Sequence, residues 1–249
     1  MAMRRTPVIT GLLVACLLAC FAGLRADDSR PHAEAVESVT GRVSLHEGNS
    51  KASLRDASKV VVWLVPAEGT RNVALVDSNV TYRMAQHNKK FVPDFLVVPV
   101  GAQVEFPNLD PWFHSVFSLY QGKRFDLGLY EAGSRKKVEF DRPGPSYIFC
   151  NIHPEMSAVV LAVESDYWAI SGKDGRVAIP NVPDGKYVLH VWYANADEKE
   201  LNSLERPVEI NSASQGLPPI SIAANPQHAA QHKNKYGHDY DPDVLEPVY

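Results

Sequence analysis

The heptapeptide Cys150-Asn151-Ile152-His153-Pro154-Glu155-Met156 offers a thiol, an imidazole and a thioether from one short stretch. A loop presenting these donors suits a copper ion, with one more imidazole from a distant strand completing a trigonal His₂Cys set and Met as a weak axial ligand. His114 is the natural source of that imidazole. It follows Phe106-Pro107-Asn108-Leu109-Asp110-Pro111-Trp112-Phe113 and opens Ser115-Val116-Phe117, where the apolar residues read as strand and the Asn, Asp and Pro as a turn. The predicted metal ligands are therefore His114, Cys150, His153 and Met156. Taken singly, each has a plainer reading: an inert core cysteine, a strand-end histidine, a methionine filling a core gap. None of those readings accounts for the shared spacing.

With these residues in place, the chain resembles the cupredoxins. Cys-x-x-His-Pro-x-Met, preceded by Asn-x-x-x-x-x-His at Asn108 to His114, is similar to their type 1 copper site, the amicyanin kind especially. The likeness runs from about Tyr82 to Glu164 and includes Phe91-Val92-Pro93 and Val100-Gly101-Ala102-Gln103-Val104-Glu105-Phe106, which are similar to early strands of amicyanin and plastocyanin. It implies a Greek-key β-sandwich and one type 1 copper ion held by His114, Cys150, His153 and Met156. It also implies a blue-copper electron carrier rather than an enzyme. Carried into biology, it implies a redox partner such as a periplasmic dehydrogenase, one for methylamine among them, or a c-type cytochrome. One departure follows His114. Those proteins commonly carry an Asn there whose side chain ties the two ligand segments together, whereas this chain has Ser115.

Copper alternates between oxidation states that prefer different geometries, so rigid ligands favour fast exchange. Cys150 is expected to bind as thiolate, its proton displaced by the metal, and His114 and His153 as neutral imidazoles whose second ring nitrogens need partners. Pro154 restricts His153 to extended backbone. Tyr147 and Phe149 before the cysteine, and Trp112 and Phe113 before His114, could form an aromatic shell that keeps water from the metal, although aromatics at such spacing are by default core packing.

These ligands must be positioned by a β scaffold. Short apolar runs punctuated by Pro, Gly, Asn and Asp recur at 60–65, 95–100, 136–140, 147–150, 158–163 and 187–192, an all-β signature without sustained helical periodicity. Val39-Thr40-Gly41-Arg42-Val43 and Lys59-Val60-Val61-Val62-Trp63-Leu64-Val65 resemble the opening strands of the transthyretin-like, carboxypeptidase-regulatory β-sandwich. Gly172-Lys173-Asp174-Gly175 through Val191 resembles its closing half. Neither half has enough strands to bury its apolar face alone. The expected organisation is a split transthyretin-like sandwich, 38–79 with 165–212, a cupredoxin domain at 80–164 inserted between its halves, and a polar tail over 213–249. The rival arrangement sets two sandwiches side by side, the first strands completing the cupredoxin sheet.

The chain has 249 residues, enough for a substantial core, and three cysteines. Met1 to Ala26 has Arg4 and Arg5, an apolar run and small residues before an acidic stretch, as an export signal does; the run is short and interrupted for a membrane span. Leu13-Val14-Ala15-Cys16 and Leu17-Leu18-Ala19-Cys20 resemble lipoprotein processing sites, so the only membrane association expected is a lipid anchor. Either route predicts an exported, periplasmic protein. Removal of 1–26 leaves Cys150 unpaired in an oxidising compartment, where a metal-bound thiolate explains it better than a disulfide.

The formal charge of −4 falls to −7 without Arg4, Arg5 and Arg25, which argues against nucleic acid as a partner. Residues 80–164 hold nine Lys/Arg and nine Asp/Glu, a neutral region suited to docking through an apolar patch.

Copper storage or delivery without electron transfer is the alternative function. A Cys150/His153 hydrolase dyad lacks an orienting residue, oxidase or reductase chemistry needs a second, all-imidazole site, and a thioether ligand disfavours zinc. His87, His46 and His190 are expected to be solvated or structural. His228, His232 and His238 are irregularly spaced in the tail without a soft donor.

Overall fold

The computed structural model describes residues 35–48, 50, 52–67, 80–119, 121–211, 216–225 and 233–240. The expected export signal at 1–26, with Cys16 and Cys20, lies outside them, as do His228 and His232. The described residues all fall within one unit, Ala33–Tyr249.

The chain is almost entirely β. It opens with β1 (Ala35–Glu47) and β2 (Val61–Pro66). Then come β3 (Tyr82–Arg83), β4 (Ala85–Gln86), β5 (Phe91–Val92), β6 (Phe95–Pro99), β7 (Gln103–Pro107), β8 (His114–Ser118), β9 (Phe125–Tyr130), β10 (Arg135–Glu139), β11 (Gly144–Cys150) and β12 (Ser157–Val163). The chain closes with β13 (Trp168–Ile170), β14 (Arg176–Pro183), β15 (Gly185–Trp192), the short helix α1 (Glu198–Ser203), β16 (Arg206–Ile210) and β17 (Ile220–Ala224). Among the described residues no helix is long and apolar enough to cross a membrane.

Strands β6-β12-β11-β8-β9 make a five-stranded sheet that faces β10-β7-β3 and the β4–β5 hairpin. Alternation puts Ile148 and Cys150 of β11, Ala158, Val160 and Ala162 of β12 and Val116 of β8 into one core with Val104, Phe106, Val138 and Phe140. The opposite face of the same sheet is also covered. Val97, Leu161 and Val163 enter a second core, with Val39, Leu45, Val62, Leu64, Ile179 and Leu189. β12 is thus buried on both faces, which is why 158–163 reads as one continuous apolar run.

That second core lies between sheets β14-β1-β17 and β13-β2-β15-β16. β2 pairs with β13 and with β15, for example Leu64 with Leu189, and β1 pairs with β14 and β17. Among the described residues, β1 and β2 pair with strands of 168–224 and with none of 82–163. One expected boundary is corrected: 213–249 is not wholly a polar tail, because Ile220-Ser221-Ile222-Ala223-Ala224 forms β17, parallel to β1, with Ile220 and Ile222 buried. Its alternating apolar residues need β1 for their backbone partners, and they meet it only across 175 or so positions of sequence.

His190 and His46 have structural surroundings. The His190 ring stacks on Trp63 at 5.2 Å with Nδ1 2.8 Å from Glu205 Oε1, and His46 Nδ1 is 3.4 Å from Ser221 Oγ.

Candidate metal centre

β8 and β11 are neighbours, and their register places Cys150 opposite Val116. His114, two residues before Val116, is on the same face and diagonal to Cys150. The chain then folds back on itself. The Cys150 N–H donates to the Met156 carbonyl at 3.3 Å and the Met156 N–H to the His153 carbonyl at 3.0 Å, a tight loop that returns His153 toward the cysteine. His114 Nδ1 lies 3.6 Å and His153 Nδ1 3.5 Å from Cys150 Sγ, and the three atoms all fall within 4.8 Å of one another. His114, Cys150, His153 and Met156 are each at most 2 % exposed.

Met156 stands in the same core as Cys150 and closes the loop through its backbone. Of the four residues singled out in the sequence, the two histidines and the cysteine converge through side-chain atoms.

The donor set has the protonation a metal needs. Burial pushes the His114 ring down more than its contact with Asp110 raises it. His153 is lowered to about 4, by burial first and then by the neighbouring His114. Both rings are neutral at pH 7. Burial raises the Cys150 thiol against the backbone hydrogen bonds of Ser115, Ile152 and His153, so the metal-free residue keeps its proton and is a poor nucleophile. Three buried donors with lone pairs or a displaceable proton, converging on one point, fit a thiophilic metal ion.

Asp110 fixes the ring of His114, and sequence reasoning missed it. Its Oδ2 lies 2.9 Å from His114 Nε2, and it accepts the N–H groups of Asn88 at 2.6 Å and Lys89 at 3.0 Å. Burial pulls the Asp110 carboxyl up, but these hydrogen bonds outweigh it and hold the group below the usual carboxylate range. An ionised carboxylate can only accept, so the His114 proton is on Nε2 and the Nδ1 lone pair faces the sulfur. The two N–H groups come from the β4–β5 turn, where His87 and Lys90 exchange backbone hydrogen bonds and Asn88 and Lys89 have φ of 54° and 52°. Positive φ at both central residues is the type I′ geometry that matches strand twist. Asn108 shapes the other side, donating to the Trp112 carbonyl at 2.7 Å while its Oδ1 accepts the Asp110 N–H at 3.0 Å.

The two ligand segments are joined through backbone. Asn151 N–H donates to the Ser115 carbonyl at 2.8 Å, so the tie does not depend on the side chain after His114.

Tyr147, Phe149 and Phe113 do not form a shell around the three converging donors. Tyr147 and Phe149 alternate with Ile148 and Cys150, and so project from the other face of the sheet, where they line a cleft of about 1020 Å³ with Trp63, Trp192 and Tyr193. Phe113 is 42 % exposed. Cys150 is fully buried and belongs to one core with Met84, Phe106, Val116 and Ile148.

No protein-family model matches the chain, and no curated protein matches it. Among solved structures it is similar to a Cu-containing nitrite reductase from Thermus scotoductus SA-01, with 26 % identity over 38 % of this chain and 25 % of that one, at a TM-score of 0.34. The chain thus spans about a quarter of that reductase. A purple cupredoxin from Nitrosopumilus maritimus is similar at 22 % identity over 33 % of this chain and 99 % of the other, with TM-score 0.30. Reduced amicyanin is similar at 20 % identity over 40 % of this chain and 96 % of the other, with TM-score 0.32.

Proposed function

We propose that this protein is an exported blue-copper electron carrier, its copper bound by His114, Cys150 and His153 with Met156 as axial ligand, in a cupredoxin domain at 80–164 inserted into a split transthyretin-like sandwich. The observation that carries the reading is the convergence of two neutral imidazoles and a lone buried thiol within 4.8 Å, the geometry a His₂Cys centre requires. The β2–β15 pairing supports the inserted arrangement.

A bound copper ion would supply one-electron chemistry between its two oxidation states. The protein's part is to hold the donors still. Asp110 orients His114, the Cys150–Met156 hydrogen bond fixes the loop, and the sheet register fixes the sulfur against the first imidazole. Leu109, Phe113 and Leu129 are 60 %, 42 % and 59 % exposed, and they flank His114 along the chain and across the β8–β9 pair. An apolar surface in a region of zero net charge suits brief docking of a redox protein, such as a c-type cytochrome or a periplasmic dehydrogenase.

Stopped-flow reduction and reoxidation of copper-loaded protein tests the carrier role. Bimolecular rate constants on the order of 10⁵ M⁻¹s⁻¹ or faster with a small redox protein are expected. Slow exchange with copper tightly held would instead assign storage or delivery. Asp110→Asn is expected to weaken copper affinity about 10- to 100-fold in a competition titration with a chelator, because the neutral amide no longer dictates the His114 tautomer. An unchanged affinity would remove Asp110 from the site.

A further inference from the structure

The last described segment, residues 233–240, is polar and distant in sequence, yet it is built onto the ligand loop. Lys235 N–H donates to Asn151 Oδ1 at 2.9 Å across 84 positions, and the Tyr240 hydroxyl donates to the backbone carbonyl of Cys150 itself at 2.9 Å across 90. The Lys235 ammonium meets the Asp126 carboxylate of β9 at 2.9 Å. The segment is closed on itself as well. Gly237 N–H donates to the Asn234 carbonyl and Asn234 N–H to that of His238, both at 2.9 Å, while Asn234 Oδ1 accepts the N–H groups of Tyr236 and His238. Ordering such a segment costs backbone entropy, which only contacts of this kind can offset.

Asn151 is consequently gripped from two sides, its N–H by Ser115 of the His114 strand and its side chain by Lys235. Cys150 is gripped likewise, its N–H by Met156 and its carbonyl by Tyr240. We infer that residues 233–240 are a strap that positions the metal-ligand loop, with Tyr240 and Lys235 as positioning residues that limit opening of the loop around Cys150. The strap links β9, the His114 strand and the loop into one frame. Its effect on copper rests on the function proposed above; its effect on the thiol does not.

The test compares the full chain with four variants: Tyr240→Phe, the pair Lys235→Met with Tyr240→Phe, Lys235→Arg, and deletion of 233–249. In metal-free protein, Cys150 is fully buried and reacts only when the loop opens. Its modification by an aromatic disulfide, followed at the Cys150 peptide by mass so that Cys16 and Cys20 do not interfere, is expected to run about threefold faster in Tyr240→Phe and about tenfold faster in the pair, the ratio that about 1.4 kcal/mol of lost restraint gives. In copper-loaded protein, release to a chelator is expected to accelerate by a similar factor, with a shift in the copper spin-resonance splitting that a purely distant packing contact would not cause. Lys235→Arg, which keeps the ion pair, should behave as wild type. Should the deletion fail to fold, the point variants decide. Wild-type rates of thiol modification in both point variants would overturn the strap. Accelerated modification in a protein that takes up no copper would keep the strap and reject the copper reading alone.

Discussion

Cys150→Ser is expected to abolish the intense visible absorption of the copper-loaded protein while leaving the fold in place. The band would arise from charge transfer between the thiolate and the metal, and Cys150 is the sole cysteine among the described residues. A hydroxyl at the same position is a hard, weakly acidic donor, so copper affinity should fall by orders of magnitude and the spin-resonance spectrum should become that of a tetragonal N,O site, if copper is retained at all. Stability should change much less. The exchange is nearly isosteric, and a buried hydroxyl without a partner costs about 1–3 kcal/mol. Thermal unfolding of the metal-free variant therefore checks that any spectral loss is chemical. Met156→Leu offers the contrast. A weak axial donor contributes little to the band but helps set the potential, and the volume is conserved, so the colour should persist while the reduction potential moves. An intense band that survives in Cys150→Ser, or its absence from wild-type protein given copper, would end the assignment.

The convergence of Cys150 and His153 was legible because it is local: two donors within one turn need no knowledge of the fold, and His114 announces itself by opening a strand after an Asn-Asp-Pro turn. Asp110 was not legible. Its role depends on where the Asn88–Lys89 turn presents two N–H groups, 21 and 22 positions away, and a carboxylate in a turn ordinarily means only a turn. That Tyr147 and Phe149 turn away from the site is something the sequence does contain: strand alternation assigns them to the face opposite Cys150. β12 shows the opposite case, a run without alternation because both of its faces are buried. β17 and the strap were hidden in the tail. The alternation of Ile220-Ser221-Ile222 is too short to stand out, a stretch of Asn, Lys, Tyr and His has no period at all, and each acquires structure only from partners far back in the chain.

Gly175→Ala is expected to be among the most destabilising single substitutions available, and it examines the point at which β1 changes partners. β1 pairs antiparallel with β14 as far as Arg42, then runs parallel to β17 from Val43. At that change of partner the Val43 N–H donates to the Gly175 carbonyl at 2.8 Å. Gly175 has φ of +75°, and a Cβ there would stand 2.0 Å from the Val43 backbone oxygen, an atom that cannot move without breaking the strand. Gly133 has the same φ of +75° with nothing within 4 Å of its would-be Cβ. The two positions therefore share the conformational cost, about 1 kcal/mol, and differ in the collision. Gly133→Ala should lose about that much in denaturant unfolding. Gly175→Ala should lose on the order of 3 kcal/mol or more, since either the strained contact or the Val43 hydrogen bond must give way. Because Val97, Leu161 and Val163 of the β6-β12-β11-β8-β9 sheet sit in the same core as Val43, the copper band and the backbone signal should be lost at one lowered midpoint. Equal destabilisation by the two alanines would show that β1 does not change partners against Gly175, and the β1–β14 and β1–β17 pairings would have to be redrawn.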